Sequence, residues 1–498
     1  MYPTLLLASV AAALLSACGG GLPTPGTTPA PSQAPTPAPS PSPAPLTAAG
    51  VWLAPAYGYV LQITPTPQGY RWARFDYTSQ GCLLSETQQL PASELALRLQ
   101  IDPAQRLAQY REAGQVYSPG IEFAPASALP TQCSEAQRRR TVDEAGYRAD
   151  PNADLQLIWH TFAEHYHDFH LSQTDWRALR PAANALAASA GDAEVFAAAC
   201  TLTSALQDGH VSIFYGEDSC TTTRKPMLSD LLAEEYASQQ QWTPPLNPSQ
   251  QAALQDYVSQ GIQQRKALPA LRYAHTGTAG AAANQQLQWF ITAEGYGYLA
   301  IHQLSGFSAQ DTLASDVEAL EAGLAQALQQ LGQTKGLIID LRYNSGGYDE
   351  TALRVMRRLL PAAQTLFSKQ ARLGETRTAL RPVRLSPAEG SYRQPIAALI
   401  SNSTFSAGEI LALSLRNRPR TVLIGEASGG ALSDTLVKRT SGKVNFSLSN
   451  EFYYSPQGEW FEARGVPVSI PAALPSSADL AQLHDPGMVA ALAWLRQQ

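Results

Sequence analysis

The chain has 498 residues, 44% of them hydrophobic, and 35 basic against 41 acidic side chains give a formal charge of −6. Domains average about 100–200 residues, so this length allows two or more. The mild acidity and the lack of a basic run argue against nucleic acid as a partner. Beyond the N-terminal segment, no apolar run approaches bilayer-spanning length.

Met1 to Cys18 carry an apolar core from Leu5 to Leu15, then small residues and a cysteine. The segment reads as a secretion signal, since the apolar run is too short to span a bilayer. Leu15-Ser16-Ala17-Cys18 resembles a bacterial lipobox, which implies cleavage before Cys18 and a lipid on its sulfur. No Lys or Arg lies near the start, where signal peptides usually carry one. Gly19 stands where an Asp would mark inner-membrane retention, which favours the outer membrane. Residues 19–47 alternate proline with small residues from Pro35 to Pro45. Such a stretch has no apolar surface to bury and stays extended at roughly 3 Å per residue. Lipid and spacer together read as a tether. Cys82, Cys133, Cys200 and Cys220 remain, an even count in an exported chain. Three connectivities are open, and pairing of neighbours is the first expectation. No Cys-x-x-Cys pair suggests zinc.

Residues 48–140 read as a small β-rich accessory domain. Tyr57–Ile63 and Tyr70–Phe75 are its clearest strands, around the turn residues Pro67 to Gly69. Residues 150–225 read as a helical subdomain. Leu155, Ile158, Trp159, Phe162 and Tyr166 share one helical face. More helix is expected around Asp175-Trp176-Arg177 and from Asp192 to Ser204, ending at Asp208-Gly209-His210. His160, His165, His167 and His170 crowd the same region without acidic or cysteine residues to complete a metal set. They are expected at exposed polar positions of an amphipathic helix. Residues 226–283, rich in Gln and Ala, read as helix or loop.

Residues 285–475 alternate strand and helix, which argues for an α/β layered core. The expected order is a strand at Gly295–Ile301, a helix from Ser308 to about Gly332 opened by Ser308 and Asp311, and the strand Gly336–Leu341. That strand is apolar at successive residues, as befits one covered on both faces. A helix from Asp349 to Leu360, the strand Pro395–Ile400, a helix after Ser406 and the strand Thr421–Gly425 follow. Ser447 to Ile470 looks β-rich, and 476–498 is a helical tail.

Chemistry concentrates where Pro395–Ile400 gives way to helix, in Asn402-Ser403-Thr404-Phe405-Ser406-Ala407-Gly408-Glu409. A serine at a strand-to-helix corner faces unpaired first-turn N–H groups that stabilise developing negative charge. The Ser406–Glu409 spacing is also a capping box. After the strand Gly336–Leu341, Asp340-Leu341-Arg342-Tyr343-Asn344-Ser345-Gly346-Gly347 turns tightly at two glycines. An N–H of Gly346 or Gly347, with that of Ala407, makes a candidate oxyanion hole. His210 is a candidate base, titrating near neutrality. Glu462, in Trp460-Phe461-Glu462-Ala463-Arg464-Gly465-Val466-Pro467, is a candidate for the carboxylate behind it, with Glu459 as its rival.

Taken together, these segments resemble the tail-specific or C-terminal processing serine proteases, whose relatives include the tricorn protease. The resemblance runs from about Leu155 to Ile470. It rests on Trp159, Tyr166 and Asp175-Trp176, on Asp208-Gly209-His210, on Asp340–Gly347, and on Ser406-Ala407-Gly408-Glu409. Gly425-Glu426-Ala427-Ser428-Gly429-Gly430 and Leu448-Ser449-Asn450-Glu451, leading to Glu462 and Gly465-Val466-Pro467, complete it. It implies a ClpP/crotonase-like spiral core and Ser406 as nucleophile. One branch of the family uses a Ser–Lys dyad, but Gly429-Gly430-Ala431 holds no lysine, and Lys438 and Lys443 come later. The chain is similar to the other branch, a Ser406–His210–Glu462 triad without cofactor. No PDZ-type insertion lies between His210 and Gly295, and Val468-Ser469 replace the usual Asp after Gly465-Val466-Pro467. The resemblance implies a lipid-anchored serine endopeptidase of the cell envelope acting on protein or peptide substrates. The alternative is a tethered, catalytically inactive peptide- or ligand-binding lipoprotein on the same fold.

Overall fold

Short strands of consecutive apolar residues form the centre of the molecule. The computed structural model describes residues 47–222, 225–310 and 312–498. The secretion signal, Cys18 and nearly all of the tether therefore lie outside the described residues. Gly297–Ile301, Leu337–Asp340, Ile396–Ile400, Thr421–Gly425 and Ile470–Pro471 pair in parallel in that order. Leu287–Ile291 and Gly280–Ala282 extend the other edge antiparallel. Successive strand residues point to opposite faces, and here both faces are dry. Leu337 and Ile339 enter one core with Leu320, Leu324, Leu353, Met356, Ile410 and Leu411 of the helices Leu313–Leu331, Asp349–Leu359 and Ala407–Arg416. Ile338, between them, enters a second core with Met488, Ala491 and Leu492 of the helix Pro486–Leu495. The expected α/β architecture is met, and the helical tail is one of the layers that cover the sheet.

The N-terminal region is a second seven-stranded sheet, all antiparallel. Its order is Cys82–Leu90, Gly69–Tyr77, Tyr59–Thr66, Gly50–Ala54, Ile121–Ala126, Leu107–Tyr110 and Leu99–Asp102. Trp52, Leu61 and Trp72 of this sheet share one core with Leu155, Ile158 and Phe162 of the helix Pro151–His165. Leu436, Phe446 and Leu448 of the strands Thr435–Arg439 and Asn445–Ser449 join that same core. Asp150 caps the helix by accepting from the Ala153 N–H (2.9 Å), with Pro151 at its first position. The Gln-rich stretch forms the helices Leu228–Gln239 and Pro248–Tyr273. Disulfides join Cys82 to Cys133 and Cys200 to Cys220. Among the described residues, no helix is long and apolar enough to cross a membrane.

Two expected elements differ. The segment at Asp175-Trp176-Arg177 is a 3-10 helix, Trp176–Asn184, with Pro181 inside it, where a missing N–H disfavours α-helix. The long helix starts at Leu313, capped by Thr312, whose hydroxyl accepts from the Ser315 N–H (3.3 Å). Ser308 donates its N–H to Asp316 instead (2.8 Å), and Asp311 lies outside the described residues.

A buried guanidinium anchors the strand ends. Arg342 is 2% exposed and donates to Asp340 (Nη2, 2.6 Å) and Asp485 (Nη1, 2.8 Å). Burial pushes the Asp340 carboxyl up, but the Arg342 charge and its hydrogen bonds bring it below the usual range. Asp485 also caps the helix Pro486–Leu495 by accepting from the Met488 N–H (3.0 Å). Removing Asp485 leaves Arg342 its partner Asp340 but frees two buried guanidinium donors and uncaps the helix. Asp485→Ala should lower unfolding stability by about 2–4 kcal/mol, read as a shift in the urea midpoint.

Candidate active site

Ile396–Ile400 and Leu337–Asp340 are parallel neighbours, with Asp340 opposite Leu399. Parallel neighbours end on the same side, so the loops that follow them meet at the carboxyl edge of the sheet. Three hydrogen bonds join the loops. Thr404 Oγ1 donates to the Leu341 carbonyl (2.7 Å), Ser401 Oγ to the Arg342 carbonyl (2.6 Å) and Phe405 N–H to the Asn344 carbonyl (2.9 Å). Ser406 follows with φ 53° and ψ −128°, a conformation that side chains other than glycine rarely adopt. Strain of this kind persists only where the surroundings enforce it, and it clusters at functional sites. The serine immediately precedes the helix Ala407–Arg416.

The glycine loop touches the serine. A Cβ added at Gly346 (φ 107°) would lie 2.7 Å from Ser406 Cβ, and one at Gly347 (φ 139°) would lie 2.1 Å from the Leu304 carbonyl carbon. Only glycine fits either position. The Gly346 N–H is taken by Asn344 Oδ1 (2.9 Å). Among the described residues, nothing accepts the N–H of Gly347 or of Ala407. Only half of the expected capping box forms. Glu409 Oε2 accepts the Ser406 N–H (3.3 Å), but the Glu409 N–H goes to the Ser406 carbonyl (2.7 Å), and the Ser406 hydroxyl makes no cap bond.

His210 leads into the strand Ser212–Tyr215. Asp208 shapes its loop: Oδ1 accepts the His210 N–H (2.9 Å) and the Ser449 hydroxyl (3.2 Å), and Oδ2 accepts the Tyr166 hydroxyl (3.1 Å). The imidazole packs edge-on against the ring of Phe405, centroids 5.2 Å apart, which sets it beside the residue preceding Ser406. Gly209 makes room, since a Cβ there would lie 2.4 Å from Phe405 Cζ. His210 Nδ1 is buried without a hydrogen-bond partner. Burial lowers the pKa of this imidazole, opposed by the charges of Asp208 and Asp434.

Glu462 is 3% exposed, and its Oε2 accepts the N–H groups of Leu432 (3.1 Å) and Ser433 (3.0 Å). Burial, then the charges of Asp208 and Glu409, push its carboxyl well above the usual range. Its rival Glu459 is paired with Arg416 (2.6 Å) and Ser455 (2.9 Å). Lys438 is bound to Asp76 (3.0 Å) and the Gly58 carbonyl (3.1 Å). A cavity of about 20 Å³, room for roughly one water, is lined by Asp208 and Glu462 together with His167, Gly209 and Phe405. Ser406, the glycine loop and His210 thus surround Phe405, and Glu462 lines the same cavity as Phe405. Among the described residues, no hydrogen bond joins His210 to Ser406 or to Glu462.

Of the four histidines expected at exposed positions, only His170 is exposed. His160, His165 and His167 are 9%, 4% and 4% exposed, because the helix Pro151–His165 is enclosed by the N-terminal sheet and the strands beyond. Only His160 and His165 belong to that helix, and His170 lies in the 3-10 helix Phe169–Ser172. Burial pushes His165 down to about 4. Among the described residues, no three His, Cys, Asp or Glu side chains are arranged to hold a metal ion. Sequence reasoning missed Asp208 as the organiser of the histidine loop. It read Glu409 only as a cap, whereas that carboxylate also takes the Ser428 hydroxyl (2.6 Å).

Residues 295–471 match the profile of Peptidase family S41. The carboxy-terminal processing protease CtpA of Bacillus subtilis (strain 168) is 27% identical over 176 residues, covering 35% of this chain and 36% of the relative. The nisin-resistance protein of Lactococcus lactis subsp. lactis is 31% identical over 151 residues, covering 28% of this chain and 46% of the relative. The chain therefore spans less than half the length of these curated relatives. A candidate peptidase from Parabacteroides merdae ATCC 43184, known from its crystal structure, aligns with a TM-score of 0.53 at 16% identity. That alignment covers 70% of this chain and 97% of the other, and at such identity the likeness concerns the fold alone.

The disulfide Cys200–Cys220 closes a loop of sequence separation 20 around His210. Cross-links of this span restrict the unfolded chain by about 3 kcal/mol. A Cys200→Ser/Cys220→Ser double variant should lose about that much in urea unfolding, with the earliest gain in amide exchange at residues 207–211.

Proposed function

We propose, on the premise that residues 295–471 are a peptidase family S41 domain, that this chain is a serine endopeptidase. It would cleave peptide bonds of exported proteins or peptides. The observation that carries this reading is the strained corner at Ser406 with the glycine loop against it and two unspent N–H donors, those of Gly347 and Ala407, nearby.

In this reading His210 takes the Ser406 proton as the hydroxyl attacks the substrate carbonyl. The Ala407 and Gly347 N–H groups hold the oxyanion, while the Gly346 N–H keeps the loop in place through Asn344. His210 then protonates the leaving amine, and water releases the acyl group. Glu462 balances the imidazolium. Its burial beside Asp208 and Glu409 disfavours its charge in the resting site, and a positive imidazolium nearby reverses that preference. The lipobox-like Leu15–Cys18 supports attachment to a membrane of the cell envelope through Cys18.

Ser406→Ala should lower kcat on a cleaved peptide by on the order of 10⁴ or more. A fluorophosphonate should label the wild type at Ser406 and leave that variant untouched. Hydrolysis that survives the substitution would sink the assignment, and wild-type protein inert to the probe would favour a tethered binder. The pH dependence has a definite sign. With its pKa lowered by burial, His210 loses its proton below the ordinary histidine value of about 6.5. The His210 step in kcat/KM should therefore lie below that pH, with activity falling as acid protonates the base. A step near the ordinary lysine value of about 10 would point to a different base.

A further inference from the structure

Four consecutive backbone N–H groups are divided between two buried carboxylates. Gly430 and Ala431 donate to Glu409 at 2.7 Å each, and Leu432 and Ser433 donate to Glu462. Glu409 is 0% exposed and also accepts the Ser406 N–H and the Ser428 hydroxyl. The Ser428 oxygen in turn accepts the Val466 N–H (2.6 Å), and the Ser428 N–H reaches the Val466 carbonyl (3.2 Å). Nearer to Glu462, the Ala463 N–H reaches the Gly430 carbonyl (2.7 Å). The chain that follows Glu462 is therefore bound at two points to the segment that Glu409 holds.

From these bonds we infer that Glu409 is a positioning residue, which sets Glu462 at a fixed distance from the nucleophile through residues 428–433. The inference rests on the triad reading above. It explains why a costly group is present. Among the described residues, no Lys or Arg pairs with Glu409 or Glu462, and an unpaired interior carboxylate is expensive to desolvate. Capping the helix uses one of the four bonds, the one to the Ser406 N–H. The other three run to Ser428, Gly430 and Ala431, next to the two N–H groups that hold Glu462. The groups facing this pair are few: Glu409 and Asp208 face Glu462, His167 faces Asp208 at 3.7 Å, and Asp208 and Asp434 face His210.

Two variants and a covalent probe test the inference on the full chain. Glu409→Gln keeps the volume but turns an amide NH₂ toward groups that are themselves donors. Ser428→Ala removes the hydroxyl that joins Glu409 to the Val466 N–H, keeps the backbone bond to the Val466 carbonyl and leaves Glu409 its three backbone donors. Each should lower kcat and the fluorophosphonate labelling rate about tenfold to hundredfold, as small misplacements do, with KM close to wild type. Burial pushes the Glu409 carboxyl up to about 7, so it is largely protonated over the acid limb set by His210, and Glu409→Gln should leave that limb in place. Glu409→Asp, which keeps a carboxyl but shortens its reach, should recover part of the rate. A folded Glu409→Gln with wild-type kcat would overturn the inference, as would a loss confined to KM. Should Glu409→Gln fail to fold, Ser428→Ala decides alone, and unchanged kcat in it is the overturning result. If the wild type itself resists the probe, the triad reading fails and this inference falls with it. If the wild type reacts and both variants match it, only this inference falls.

Discussion

The register between Leu337–Asp340 and Ile396–Ile400 is the constraint on which the site depends. Parallel pairing with Asp340 opposite Leu399 sends both chains out of the sheet at the same edge. Everything reactive is then a matter of short loops. The glycine turn and Ser406 are 60 residues apart in sequence, yet a notional Cβ on one would collide with the other. A slip of the register would turn Ile338 and Ile339 to the wrong faces of a sheet that is dry on both sides. Packing therefore fixes the geometry of the loops before any polar contact is made. The Arg342 guanidinium then locks the strand end to the tail helix through Asp340 and Asp485.

Electrostatics in the site follow from burial without counter-charge. Asp208, Glu409 and Glu462 are all nearly inaccessible, and none has a Lys or Arg partner among the described residues. Their stabilisation comes from backbone N–H groups and hydroxyls. Such donors are held by the fold and need no reorganisation when charge moves, which suits the proposed transfer of a proton from Ser406 to His210. The contrast with Glu459 is instructive. It lies close by in sequence, but it is half-exposed and joined to Arg416 in a surface pair of little energetic weight.

The parts legible in sequence were those where local pattern and tertiary fate agree. Ile396–Ile400 reads as a covered strand because every residue is apolar, and Ser406 reads as a corner because helix formers begin at once after it. The histidines at 160, 165 and 167 misled because polarity alone suggests exposure, whereas their surroundings come from the upstream sheet of residues 50–126 and strands more than 260 residues downstream. The start of the long helix moved from Ser308 to Thr312 because Asp316 reaches back to the Ser308 N–H, a competition that spacing does not reveal. The 428–433 segment carries no residue with reactive chemistry of its own. Its contribution lies in where its N–H groups point, which only the folded chain displays.

The histidine loop and the serine corner belong to different cores. His210 leads into Val211 and Ile213, which pack with the N-terminal sheet, whereas Ala407 and Ile410 after Ser406 pack on the central sheet. A chain in which either half is still loose has the Ser406 corner without the His210 loop. In the proposed reading, assembly of the reactive centre is thus tied to completion of both cores, and the chain would pass through its unfolded stages unable to attack itself or its neighbours.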